Sequence, residues 1–254
     1  MLSSSPRQSD SSKSYARTEA ARLRLVAVVE EMRRRRGGLM DFIPRVARGY
    51  TRPEHLAPVA SIFERAFAGE PVFACVSVPP RHGKTEMVLA AIAWWLSRRP
   101  EDALGFVSYA SAFAESKSSR GRDYATAAGV QLHPSRNTLS EWRTTAGGGL
   151  LATGIGGPLT GQGVRLAVVD DPVKNREEAE SALIRQRTWD WFTSTLWTRI
   201  EPGGSCIVVH TRWHEDDLIG RLARGEMGDA AQWEVVNLPA VDEHGEALWP
   251  SRWP

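Results

Sequence analysis

The chain is patterned as short apolar runs separated by longer amphipathic stretches. Val72–Val78, Ala103–Tyr109, Val164–Val169 and Cys206–Val209 have strand length and little polar alternation. That is the signature of strands covered on both faces. Glu234–Leu238 reads as a fifth strand. Helical periodicity predicts Pro58–Ala68, Glu86–Arg99, Ser111–Ala128 and Asp216–Arg224 as helices. It also predicts one long helix, Glu177–Ile200, with Trp189, Phe192, Leu196 and Ile200 on a single stripe. Eight glycines between positions 138 and 163 predict hairpins and turns. Strands alternating with helices give an α/β fold, a mostly parallel central sheet with helices on both faces.

Residues 1–14 contain seven serines and almost nothing apolar, which reads as a disordered tail. Thr18–Arg36 follows as a helix, with Ala21, Leu25, Val28, Val29 and Met32 on one side. It ends in four arginines before Gly37-Gly38. Those arginines suit DNA contact or a solvated helix end equally well. The sequence divides into a tail and helix over 1–38, an α/β domain over 39–240 and the start of a linker over 241–254.

Composition removes several classes. With 254 residues, 42% hydrophobic and 24% charged, the chain supports a sizeable core. A net charge of +2 gives no chain-wide footprint for a polyanion, so any nucleic-acid surface is a local patch. The two cysteines, Cys75 and Cys206, sit inside apolar runs, which excludes a disulfide scaffold and predicts buried thiols. No apolar run reaches membrane-spanning length, and the N-terminus lacks an apolar signal core. The setting expected is reducing and cytoplasmic.

Candidate chemistry lies at three strand ends. Pro79-Pro80-Arg81-His82-Gly83-Lys84-Thr85 links the first strand to the helix beginning near Glu86. A strand–loop–helix with Gly-Lys-Thr is built to cradle phosphates with backbone N–H groups and the helix N-terminus. Lys84 suits the β- and γ-phosphates, and the Thr85 hydroxyl suits Mg²⁺. The usual first glycine of such a loop would fall at position 78, where this chain has Val78. Arg81 sits inside the loop, where it would reach the γ-phosphate or simply face solvent. The third strand ends in Asp170-Asp171, at the edge where an α/β sheet holds its ligand. Asp170 is expected to hold Mg²⁺ and Asp171 to orient and deprotonate water, a pairing that points to nucleotide hydrolysis. The fourth strand ends in His210-Thr211-Arg212-Trp213-His214. Thr211 is placed to sense a γ-phosphate. A metal site from His210, His214, Asp216 and Asp217 is the weaker alternative, because their spacing is not helical.

Taken together, these pieces resemble the large subunit of tailed-phage terminases. The matching segments are Val78–Glu86, Ser108-Tyr109, Gly154–Gly161, Val168–Pro172, Thr211–His214 and Leu238–Ala240, in the family's order over residues 42–254. The resemblance implies a P-loop NTPase of the additional-strand type, with ATP and Mg²⁺, powering translocation of double-stranded DNA into a procapsid. It implies Pro80, Arg81, His82, Gly83, Lys84, Thr85 and Glu86 as the nucleotide loop, with Arg81 as the arginine of a deviant Walker A motif. It further implies Asp170-Asp171 as the Walker B pair and Thr211 in the coupling motif. Many relatives carry Glu where this chain has Asp171, and an Arg-Gly pair where it has Thr160-Gly161. A trans-acting arginine finger is therefore sought among Arg165, Arg120 and Arg122. The implied setting is the host cytoplasm, with portal protein and small terminase subunit as partners, a ring of about five subunits and no membrane. Nuclease activity is expected only of a longer protein that adds an RNase H-like domain. Other translocase-like P-loop ATPases and a non-catalytic binding module are the alternatives.

Overall fold

The order of the strands decides what the fold can bring together, and that order differs from the order in sequence. A computed structural model describes residues 37–159, 161, 163–228 and 231–253. The serine-rich tail, the helix expected over Thr18–Arg36 with its arginines, and Thr160 lie outside the described residues. Helices α1 (Leu39–Val46) and α2 (Ala57–Ala68) precede β1 (Phe73–Ser77), α3 (Lys84–Leu96), β2 (Ala103–Ser108) and α4 (Ser111–Ala127). Then come β3 (Leu132–Asn137), β4 (Glu141–Thr144), β5 (Gly149–Gly154) and β6 (Val164–Asp170). Last are α5 (Arg176–Glu180), α6 (Ala182–Trp191), β7 (Ile200–His210), α7 (Leu218–Ala223) and β8 (Glu234–Asn237). The eight strands form one sheet in the order β3-β4-β5-β2-β6-β7-β1-β8. Six are parallel, and β3 and β4 run antiparallel to their neighbours.

Strand alternation explains why the apolar runs are uninterrupted. Ala74, Val76, Leu166, Val168, Ile207 and Val209 face one core. Cys75, Ala167, Val169, Cys206 and Val208, their immediate neighbours, face the other. Each central strand therefore needs apolar residues at odd and even positions alike. A fully buried valine or leucine contributes about 1.5–3 kcal/mol, so these strands anchor the domain. Burial also pushes the Cys75 thiol up to about 12 and the Cys206 thiol well above its ordinary range. Both are free thiols.

Helix α3 is apolar on all sides because it is covered on all sides: every residue from Met87 to Leu96 is buried. Helix α4 packs on it through a stripe of small residues, Ala114, Ser118, Gly121 and Ala125. At Gly121 an added Cβ would lie 3.6 Å from Leu89 Cδ2, so the stripe allows a close approach.

The structure corrects the expected elements in three places and bears out the hairpin. Leu39–Val46 is a helix despite Pro44, and it buries Leu39, Met40, Phe42, Ile43 and Val46. The hairpin expected in the glycine-rich stretch is there, as β4 and β5 pair antiparallel, and it extends the main sheet, with Leu132–Asn137 as edge strand β3. Pro134 is tolerated there because an edge strand can spare an N–H. The single long helix over Glu177–Ile200 is broken: Ser181 turns extended and caps α6 by accepting from the Ile184 N–H at 3.4 Å. After α6 the chain passes through a π-turn at Phe192–Leu196 and a 3₁₀ turn at Trp197–Arg199. Phe192 and Leu196 are fully buried there, so the tryptophan-rich face sets the local winding. Strand β7 begins at Ile200, six residues before the apolar run that marks it in sequence. Among the described residues no helix is long and apolar enough to cross a membrane.

Candidate functional site

β7 lies between β6 and β1, so the carboxyl ends of three parallel strands stand side by side. Ser77 pairs with His210, and Asp170 pairs with Val209. The loop after β1, the acids ending β6 and the His-Thr ending β7 are therefore neighbours, although 133 residues separate Val78 from Thr211.

The loop is held at its carbonyls. Tyr50 Oη donates to Gly83 O at 3.2 Å, His55 Nε2 meets His82 O at 2.8 Å, and His82 Nδ1 meets Pro80 O at 2.9 Å. Gly83 is required twice over. Its φ is +84°, and a Cβ there would lie 1.8 Å from Tyr50 Oη. Burial, then the Glu86 charge, pushes the Tyr50 hydroxyl well above its ordinary range, so it stays a donor. Trp249 stacks on His55 with ring centroids 4.3 Å apart, which covers this anchor with the 241–253 segment. At the loop's tip, exposed Arg81 adopts φ +63°, a left-handed conformation uncommon for a side-chain-bearing residue. Such strain is typical of functional loops.

Lys84 is nearly buried. Its Nζ lies 2.9 Å from Asp171 Oδ2 and donates to Thr211 Oγ1 at 2.8 Å. Thr211 Oγ1 in turn donates to Val78 O at 3.2 Å, and the Thr211 N–H donates to Asp171 Oδ1 at 2.9 Å. Asp171 is also strained, at φ +47°, which a short acidic side chain tolerates better than most. Its carbonyl accepts from the Tyr109 N–H at 3.0 Å and from Ser108 Oγ at 3.3 Å, fixing that conformation from β2.

The two adjacent acids are driven apart electrostatically. Asp170 is fully buried, and burial followed by the Asp171 charge pushes its carboxyl up to about 7, against the opposing pull of Lys84. Burial also raises Asp171, but the hydrogen bond from His210 and the Lys84 ammonium outweigh it and hold this carboxyl below its usual range. Thr85 Oγ1 donates to Asp170 Oδ2 at 2.7 Å, whereas Asp170 Oδ1 is buried without a partner. An orphaned buried carboxylate oxygen beside a threonine hydroxyl is the oxygen donor set that Mg²⁺ uses together with waters and phosphate oxygens. Thr85 and Asp170 fit that ion.

The remaining expected residues are distributed more widely. Glu86 pairs with Arg120 and accepts from Tyr124 Oη at 2.5 Å. Arg122 donates to Asn137 Oδ1 at 2.8 Å. Arg165 donates to Pro202 O at 3.4 Å, near the start of β6 and so at the opposite end from Asp170. The three arginines do not form one group. His210, His214, Asp216 and Asp217 do not meet at one point either, although His210 Nε2 lies 4.0 Å from Asp217 Oδ2. His214 Nδ1 accepts from the Asp216 N–H at 2.9 Å, Asp216 is bound by arginines, and Asp217 caps α7. Among the described residues no cluster of three or more His, Cys, Asp or Glu side chains could hold a metal. Two contributors carry no motif. Lys117 on α4 acts electrostatically on Asp170, and His210 bonds Asp171. Only the polar end of an apolar strand hints at His210 in sequence.

The chain matches a family model described as "Terminase large subunit, T4likevirus-type, N-terminal" over residues 75–247. No curated protein matches it. Among solved structures it is similar to the HK97 bacteriophage large terminase, with a TM-score of 0.56 and 13% identity. That likeness covers 81% of this chain and 44% of the HK97 chain, so the chain spans less than half of that relative. At this identity the likeness speaks to fold alone, a mostly parallel α/β sheet in which β7 lies between β6 and β1.

Proposed function

The chain belongs to the family of T4-type terminase large subunits, matching its N-terminal part, and from that premise we propose that it is the ATP-hydrolysing motor domain that drives double-stranded DNA into a procapsid. The observation that carries this reading is the convergence of Lys84, Thr85, Asp170, Asp171 and Thr211 at three adjacent strand ends. Lys84 neutralises the β- and γ-phosphates of ATP, and Thr85 with Asp170 holds Mg²⁺. When bound, Mg²⁺ supplies charge neutralisation at the phosphates. Lys84 is shared between Asp171 and Thr211, so engaging a triphosphate draws it away and frees Asp171 Oδ2 for the attacking water. Thr211 touches both the lysine and the acid. It therefore registers the exchange, and β7 continues from it into the Arg212-Trp213 loop. Arg81, strained and exposed, is available to the γ-phosphate.

A trans-acting arginine completes the reading. It comes from Arg120, Arg122 or Arg165 of a neighbouring subunit in a ring of about five, docked at the portal in the host cytoplasm with the small subunit as partner. Such a finger is worth about 10³–10⁵ in rate, so the isolated chain is a slow ATPase. Steady-state ATP hydrolysis, measured across protein concentration with and without double-stranded DNA, tests this. A slow rate that climbs on assembly or with DNA supports it. A folded chain that binds no ATP overturns the motor reading, and a fast, concentration-independent rate in a monomer removes the trans arginine.

A further inference from the structure

The end of β7 holds a buried histidine between two acids, part-buried Asp171 and buried Asp217. His210 has no exposed surface. Its Nδ1 lies 3.2 Å from Asp171 Oδ1, and its Nε2 points at Asp217 Oδ2 from 4.0 Å with no hydrogen-bond partner. Asp217 is only 2% exposed and is itself committed. Its Oδ1 accepts from the Gly220 N–H at 2.8 Å, capping α7, and its Oδ2 accepts from Arg212 Nε at 3.0 Å. Three side chains, Asp171, His210 and Asp217, thus run from the water-activating acid to a helix start and an arginine on the loop after Thr211. A carboxylate only accepts, so the proton on Nδ1 is assigned to the His210 side of the contact with Asp171.

Resting on the motor reading above, we propose that His210 is a positioning residue: its Nδ1–H fixes the rotamer of Asp171, and Asp217 with Arg212 orients the ring from the other side. Among the described residues, the carboxylate of Asp171 has two other anchors, the Thr211 N–H on Oδ1 and Lys84 on Oδ2. Once Lys84 turns to phosphates, Thr211 and His210 alone hold the carboxylate, both through Oδ1. This leaves Oδ2 aimed at water in a defined direction. The chain also ties that aim to the Arg212–Asp217 loop, because any shift of the α7 cap moves the ring. Partners of this outer kind typically change activity 10–100-fold when removed.

The test compares His210→Asn, His210→Gln and His210→Phe in the full chain, following kcat, KM for ATP and nucleotide binding. Asn carries an amide N–H where Nδ1 sits, Gln carries one where Nε2 sits, and Phe fills the space without a donor. The expected result is a 10–100-fold lower kcat for Phe and Gln, substantial recovery in Asn, and unchanged KM and nucleotide binding in all three. Equal behaviour of Asn and Gln, or a wild-type kcat in Phe, overturns the proposal. Asp217→Asn keeps a helix-capping oxygen but removes the charge, and it serves if the His210 variants misfold. A several-fold lower kcat at unchanged KM is expected, and wild-type turnover counts against the chain of contacts. A readout independent of hydrolysis separates this from the motor reading. In ¹⁵N-resolved NMR of the imidazole, the wild-type chain should show a protected Nδ1–H that is lost in Asp171→Ala and shifted in Asp217→Asn. Its absence overturns the positioning role even if the chain hydrolyses ATP, and its presence in an inactive chain faults the motor reading instead.

Discussion

Two clusters of acids and cations in this chain behave in opposite ways. Asp216, with its side chain 32% exposed, meets Arg185 at 3.4 Å, Arg221 at 2.9 Å and Arg224 at 2.6 Å. Hydrogen bonding from Arg221 first, with Arg224 and Arg185 behind it, holds its carboxyl well below the usual range. Asp170 and Asp171 have one lysine between them, left-handed backbone at Asp171, and a buried oxygen with no partner. The first cluster is richer in ion pairs but saturated and solvated. The second is poorer and incomplete. Charge density therefore does not mark the site here. Burial combined with strain and unfinished satisfaction does, because those features cost stability and persist only when the surrounding fold over-determines them.

The sharpest way to break this contrast is to remove Lys84, the cation in direct contact with Asp171 and Thr211. Lys84→Ala should lower ATP turnover by about 10³-fold or more, because it removes phosphate neutralisation in a nearly dry site. Circular dichroism should show the fold retained. Near-wild-type turnover would end the phosphate-loop assignment.

Splitting the two acids is next in size. Asp171→Asn should keep Mg²⁺-dependent ATP binding and lose about 10²–10⁴-fold in turnover, the worth of a general base. Asp170→Asn should instead raise the Mg²⁺ concentration needed for binding. Isothermal titration at several Mg²⁺ concentrations separates the two outcomes, and equal losses of affinity would erase the division of labour.

Gly83→Ala tests whether the loop depends on its anchor. It should destabilise the domain by about 1–3 kcal/mol from left-handed strain alone, and further through the clash with Tyr50. Tyr50→Phe removes only the bond to Gly83 O and should cost about 1 kcal/mol. Urea titrations of the two variants read both effects. A neutral Gly83→Ala would mean that the loop has another resting conformation.

The smallest effect belongs to the saturated cluster. Asp216→Asn should cost about 1 kcal/mol or less, as exposed ion pairs do, and leave turnover unchanged. The sign of its pH dependence follows from the depressed carboxyl. Its stabilisation is fully present above the unfolded value of about 3.9 and drains away as pH falls through the lower folded value. Wild type and variant should therefore differ at pH 7 and converge under strongly acidic conditions. A turnover defect at Asp216 would show that the saturated cluster is not merely structural.

Local chemistry was readable wherever one segment carries both the element and its end. The run Val72–Val78 followed by Gly83-Lys84-Thr85, and Val164–Val169 followed by Asp170-Asp171, announce strands, a strand–loop–helix turn and an acid pair without any structure. The alternation of strands and helices likewise determined an α/β fold, since apolar residues at both odd and even positions demand a sheet covered on both faces. Tertiary structure alone decided the strand order, and with it the insertion of β7 that sets Thr211 and His210 beside Asp171. It alone broke the tryptophan-rich helix at Ser181 and joined the hairpin of the glycine-rich stretch to the main sheet through β2. It alone brought Tyr50 and His55 to the loop Pro79–Thr85. The physical reason is common to all of these. Periodicity and turn chemistry act over a few residues, whereas pairing partners, the burial of a polar atom and the strain at Arg81 and Asp171 depend on groups dozens of residues away, which only the packed core brings within reach.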